Sequence, residues 1–201
     1  YMQKDTLRYR IGVATYSVGV AYNNRKTSLQ FIQQEMNNIT ALSNETCQLG
    51  IQSRNMVFYI AKKDSPQPIR LMSSVGKQLP LYCTGLGRAL LAYKSEEEIR
   101  SLFPEVLTAY TPHTIATIND LLKELELTRQ RGYAVEHEET NLMVNCIAVS
   151  LDYNNAPIAA LSISIPTFRI SESKEKEAVQ ILWEAKQRIE THFKMYGVDF
   201  G

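Results

Sequence analysis

The stretch PLYCTGLGRALLAY, from Pro80 to Tyr93, brings a glycine-bracketed turn, Thr84-Gly85-Leu86-Gly87, directly into an apolar helix. A helix start leaves backbone N–H groups without partners and carries the positive end of the helix dipole, so it can receive a carboxylate or phosphate. Glycine lets the backbone come close to such a ligand. The same Gly-x-Gly spacing also marks ordinary tight turns, and both readings stand here. Two strands offer more. Cys146, Ala148 and Ser150 share one face of the first, and Ala160, Ser162 and Ser164 share one face of the second. Their other faces are aliphatic: Ile147, Val149 and Leu151, then Leu161, Ile163 and Ile165. The aliphatic faces suit a core, whereas the small faces leave volume for a covering helix or a ligand. With Val135 packed inward, Glu136 turns toward the small face and adds a carboxylate. Glu138 and Glu139 extend that charge run and read as solvated.

Chemistry on a ligand has little support. A nucleophilic thiolate at Cys146 or Cys83 needs a basic neighbour held in line. His137 points away from Glu136, while His113 and His192 fall in a loop and in the terminal helix. Cys83, Cys146, Glu136 and His137 have no metal-ligand spacing. No catalytic residue, metal or cofactor is expected, and the chain is not read as an enzyme.

The 201 residues suffice for one domain, and 44% hydrophobic with 21% charged residues is ordinary for a globular chain. A net charge of +1, from 22 Lys+Arg against 21 Asp+Glu, argues against nucleic-acid binding by this chain alone. Nothing in it reads as a membrane span or signal peptide. Three cysteines without paired spacing suggest a reducing cytoplasm. The start at Tyr1 rather than Met fits an excised domain.

The elements that must position these residues follow from periodicity. Leu7 to Ile11 reads as a strand, and Gly12 to Tyr22 as a helix of small and apolar residues suited to close packing. Ser28 to Leu42 is a helix with Leu29, Ile32, Met36, Ile39 and Leu42 at three- and four-residue spacings. Thr46 to Gln52 and Asn55 to Lys62 form a hairpin, and Ile69 to Val75 a third strand. Ser95 opens a short helix by a capping box. Thr117 to Arg131 is a helix burying Ile118, Leu121, Leu122, Leu125 and Leu127, ended by Gly132. Tyr133 to His137, Met143 to Leu151 and Ile158 to Ile165 are strands, and Ser173 to Tyr196 is the terminal helix. The pattern predicts an α+β fold with a central antiparallel sheet flanked by helices. Cys146 shares a pocket with Ser162 and Ser164 only if their strands pair with an even sum of residue numbers. A regular two-residue loop between Tyr153 and Ala156 would set Cys146 opposite Ile163 instead.

PLYCTGLGRALLAY, RGYAVEHEE from Arg131 to Glu139, and NCIAVSLDYNNAPIAALSIS from Asn145 to Ser164 together resemble the effector-binding domain of the IclR family of bacterial transcription regulators. The resemblance runs in order through nearly the whole chain. It implies a GAF-like sensor domain behind an N-terminal winged helix-turn-helix that this chain lacks. Residues 1–24 would be the linker segment and helix leading from it, and 25–201 the effector-binding domain. It implies a cytoplasmic homodimer or homotetramer that reaches DNA through the other domain and binds a small organic acid or sugar acid. The implied effector contacts are Gly85, Leu86, Glu136, Cys146, Ser162 and Ser164, with Leu71, Leu79 and Val144 as apolar lining. The chain differs at two places. Glu136 stands where the family usually has Asp, and the family's frequent Gly-Leu-Arg-Cys reads Met143-Val144-Asn145-Cys146. The wording around Pro80 and Pro166 is similar to members that sense sugar-acid breakdown products. The rival readings are a ligand-free oligomerisation module and a cysteine-dependent GAF-like enzyme. A polar cavity behind Ser162 favours the sensor, a dry filled core the module.

Overall fold

A computed structural model describes residues 2–5, 8–11, 13–23, 28–68 and 74–199. Two short strands, β1 (Met2–Asp5) and β2 (Arg8–Ile11), pair antiparallel, and α1 (Val13–Asn23) follows. The body begins with α2 (Ser28–Ser43) and the hairpin β3 (Thr46–Ser53) and β4 (Met56–Lys63). Then come β5 (Gln78–Pro80), a 3-10 turn (Leu81–Cys83), α3 (Gly85–Leu91), α4 (Glu96–Leu102) and α5 (Ile118–Arg131). Strands β6 (Ala134–His137), β7 (Val144–Tyr153) and β8 (Ala156–Pro166) lead to the long α6 (Glu172–Tyr196). Of the strand expected over Ile69 to Val75, residues 69–73 lie outside the described residues. Strands β1 and β5 were not anticipated.

The six body strands make one antiparallel sheet in the order β5-β4-β3-β8-β7-β6. Helices α2 and α6 cover one face. Their Ile32, Ile39, Leu182 and Phe193 meet the aliphatic sides of β3, β7 and β8 in a core without solvent access. Each such side chain contributes about 1.5–3 kcal/mol by leaving water. The other face carries α3 and α5, packed on Val57, Ala134, Ala148 and Ala160. The small-residue face is thus covered by a helix over its middle.

Capping follows the sequence closely. Ser95 and Glu98 form the capping box, Thr117 caps α5, and Gly132 ends it at φ 79°. Two burial expectations fail. Leu42 and Leu127 are 56% and 50% exposed, while Ser43 and Thr128 are buried. The buried stripes continue from Ile39 to Ser43 and from Leu125 to Thr128, so helical phase outranks hydropathy at those turns.

The β7–β8 hairpin resolves the register question. Its loop is the two-residue Asn154-Asn155, both at positive φ (51° and 62°), between paired Tyr153 and Ala156. Such turns suit asparagine and match strand twist. Asp152 pairs with Pro157 but Leu151 with Ala159, so Ile158 is the extra residue of a β-bulge. Beyond it Cys146 faces Ser164 and Ala148 faces Ser162, the even-sum register.

Candidate functional site

The turn into α3 is built from side chain and backbone together. Thr84 is the N-cap, its Oγ1 accepting the Gly87 N–H at 3.1 Å and donating to the Pro80 carbonyl at 3.2 Å. Both glycines answer to protein contacts. A Cβ on Gly85 would lie 3.3 Å from the Cys146 Cβ and 3.4 Å from that of Ala148. A Cβ on Gly87 would fall 2.2 Å from the Leu81 carbonyl oxygen. The turn is close-packed on β7 and on the preceding 3-10 turn, and the tight-turn reading accounts for its glycines. Gly87's N–H is committed to the cap, which corrects any role for it as a ligand donor. Gly85 and Leu86 both line a cavity against the sheet.

That cavity, of about 30 Å³, has Gln48, Tyr59, Glu136, Cys146 and Ser162 among its walls, with Lys77 and Asn141 also lining it. It has room for one or two waters. Leu79 and Val144 line it as the resemblance implied, and Leu71 lies outside the described residues. Gln48, unforeseen, is a hub. It is paired with Ser162 across β3 and β8, and its Oε1 accepts from Ser164 at 3.0 Å and Ser162 at 3.4 Å. Ser164, an implied effector contact, is not among the lining residues; its hydroxyl lies 3.2 Å from the Cys146 sulfur. Lys77 brings a basic side chain to the lining. Its backbone carbonyl accepts from the Tyr59 N–H at 3.0 Å, which fixes the loop to β4.

Glu136 is 1% exposed on β6, opposite Cys146. Its Oε1 accepts the Glu139 N–H at 2.5 Å and the Thr140 N–H at 3.3 Å, so it holds the β6–β7 loop as well as facing the cavity. Burial pushes its carboxyl up to about 7 despite those donors, with nearby Glu139 adding to the rise. Burial first, then Glu136, also raises the Cys146 thiol, and burial pushes Cys83 up to about 12. Both sulfurs are thiols at neutral pH, poor nucleophiles. His137 turns to Asn145, its Nδ1 3.2 Å from Oδ1.

Glu139 is not solvated. It is 5% exposed and ion-paired with the equally buried Arg88 of α3. Arg88 also donates to the Tyr82 carbonyl (3.0 Å) and the Val135 carbonyl (2.9 Å), tying the cavity's helix to β6 and its loop. Met143 ends that loop at φ 67°. A side chain there is strained, and the family resemblance has glycine at this place. Among the described residues no His, Cys, Asp and Glu cluster is arranged to hold a metal. No described helix is long and apolar enough to cross a membrane.

A helix-flanked antiparallel sheet with a recessed polar cavity against a short helix defines a GAF-like ligand-sensing domain. The family description "Bacterial transcriptional regulator IclR C-terminal" matches residues 21–191, and the chain belongs to that family as its effector-binding domain. The transcriptional regulator KdgR of Dickeya chrysanthemi is 33% identical over 187 residues, 92% of this chain and 61% of its own length. The repressor AllR of Escherichia coli K12 is 32% identical over 91% of this chain and 68% of its own. The Thermotoga maritima IclR crystal structure superposes with a TM-score of 0.82 at 30% identity, covering 94% of this chain and 78% of that one. This chain therefore spans about three fifths of KdgR's length. These relatives are transcriptional regulators, and the family is not one of enzymes.

Proposed function

We propose that this domain binds a small carboxylate-bearing metabolite in the Glu136–Ser162 cavity and couples it to DNA binding by an N-terminal domain, in the bacterial cytoplasm. The observation that carries the reading is the polar cavity where Gly85, Leu86, Ser162, Glu136 and Cys146 meet. It supports the sensor over a dry oligomerisation module. The carboxylate is assigned to the Gly85 and Leu86 N–H groups and to the Ser162 hydroxyl, which turns its proton to the ligand from Gln48 Oε1, 3.4 Å away, while Ser164 keeps its own bond to Gln48. Glu136 suits a ligand hydroxyl. At about 30 Å³ the cavity must widen for any organic acid, by movement of exposed lining residues such as Lys77 and Asn141, and least for the smallest keto and hydroxy acids.

A thermal-shift screen of small acids, followed by titration calorimetry, tests the reading. Ser162→Ala is expected to weaken binding several-fold up to about a hundredfold, the worth of one hydrogen bond to a charged group. Leu86→Pro, which deletes a donor, should weaken it more. If both variants bind as wild type does, the ligand lies elsewhere.

The same titration across pH reports on Glu136. Its carboxyl sits at about 7, and an incoming anion raises it further. Binding then takes up a proton above neutrality, so affinity should be flat below pH 7 and fall as pH rises through 7 to 8. Glu139, paired with Arg88, and the neutral Cys146 and Tyr59 are the other ionisable neighbours, with Lys77 also in the lining. Glu136→Gln should abolish that slope. A slope unchanged in Glu136→Gln places the titration on another group.

Residues 1–24 are proposed as the segment that joins the two domains, and α1 as part of an interface. Val13, Tyr16 and Val18 of α1 are 77%, 74% and 53% exposed, more apolar surface than a solvated helix carries. Light scattering well above micromolar concentration should give a dimer or tetramer; a strict monomer would remove the intersubunit version.

A further inference from the structure

A second cleft lies at the opposite end of α3, between that helix, the C-terminal end of α5 and β7. Its volume is about 200 Å³, and Ala89, Ala92, Tyr93, Gly132, Tyr133 and Ser150 are among its walls. Ala89 and Ala92 present only methyl groups, and Gly132 presents none, held at φ 79° as the end of α5. The space is larger than an apolar cavity of about 150 Å³ that admits benzene. Two tyrosine rings border it, and one end is polar.

That polar end has a defined direction. Ser150 Oγ donates to the Tyr93 hydroxyl at 3.1 Å, and Tyr93 donates onward to Asp152 Oδ2 at 2.5 Å. Lys186 Nζ donates to Ser150 Oγ at 3.3 Å and pairs with Asp152 and Glu190. Both hydroxyls have spent their protons, so each offers a lone pair and wants a donor. Arg129, also in the wall, is occupied by the Ala92 and Lys94 carbonyls and by Glu126. We propose that this cleft is a second small-molecule site, for an aromatic ring bearing a hydroxyl donor rather than a carboxylate. It is separate from the Glu136–Ser162 cavity and does not depend on the reading given to that cavity.

Trp183, the chain's one tryptophan, reports on it, because its ring rests against Gly132, 2.8 Å from where a Cβ would stand. Titration of the whole chain with phenol, read by Trp183 fluorescence, should saturate with a dissociation constant of about 1 mM, fitting for so few atoms. Benzoate should bind at least about tenfold more weakly, since at the polar end its carboxylate meets the lone pairs of Ser150 and Tyr93 beside the Asp152 carboxylate. Ala92→Leu, which fills the cleft from the exposed end of α3, should abolish the response. Ser150→Ala should weaken phenol several-fold. Circular-dichroism melts of both variants confirm that they are folded before titration. The proposal is overturned by no saturable change up to about 10 mM phenol, by an undiminished response in folded Ala92→Leu, or by benzoate binding as tightly as phenol.

Discussion

Arg88→Ala is expected to destabilise the domain by about 3–5 kcal/mol, the usual result of leaving one member of a buried ion pair behind. For a chain of this size that lowers the melting temperature by roughly 10 °C. The side chains of Arg88 and Glu139 are 2% and 6% exposed, so solvent cannot compensate. The loss strands the Glu139 carboxylate together with the Tyr82 and Val135 carbonyls. Glu139 keeps only the Ile115 N–H at 3.2 Å on that carboxylate. Replacing both members by apolar residues, Arg88→Met with Glu139→Leu, should restore most of the stability, because the pair's desolvation cost disappears with its attraction. Denaturant unfolding of the three variants decides the matter. A single variant as stable as wild type, or a double variant worse than Arg88→Ala, contradicts the account.

The ion pair also separates what the sequence discloses from what it hides. Every residue of α3 from Gly85 to Leu91 is buried, so the helix has no polar face for Arg88 to occupy. A lone arginine in an otherwise apolar helix is itself a signal for a buried partner. Glu139 reads as solvated because it ends a charge run, yet the loop after β6 folds back, with the Thr114 hydroxyl donating to its carbonyl at 2.6 Å. Gln48 had no local signature. Only the β3–β8 pairing sets it against Ser162 and Ser164, more than a hundred residues along the chain. Lys77 enters from a loop whose position depends on Tyr59.

The faces of β7 and β8, by contrast, were legible because alternation is local. What they implied conflicted with the turn. An Asn154-Asn155 loop requires odd-sum pairing, whereas a common small-residue face requires even-sum pairing. Only an inserted residue satisfies both, and Ile158 is that residue. The small face then does three things along its length. Ala148 and Ala160 lie under α3, Cys146 and Ser162 open on one cavity, and Ser150 borders the other. Covering helix and open cavity are therefore not alternatives, since one strand pair carries both.

Gly87→Ala should cost about 3 kcal/mol or more, against the gain of roughly 1 kcal/mol that the same exchange brings in an ordinary helix interior. Gly87 has no positive φ, so the reason is contact rather than backbone conformation. The added Cβ would lie 2.2 Å from the Leu81 carbonyl oxygen, 2.4 Å from its Cα and 2.6 Å from its carbonyl carbon. All three are backbone atoms, which no side-chain rotation can remove. Leu81 is itself fully buried, so α3 must lift from the 3-10 turn, releasing the Thr84 cap and moving Gly85 and Leu86. Gly85→Ala meets the Cβ atoms of Cys146 and Ala148 at 3.3 and 3.4 Å and the Cys146 carbonyl oxygen at an ordinary 3.6 Å, and should cost about 1 kcal/mol. Urea unfolding should therefore rank wild type above Gly85→Ala and both well above Gly87→Ala. Wild-type stability in Gly87→Ala would mean that the turn does not press on Leu81, and the close-packing account of the two glycines would fall.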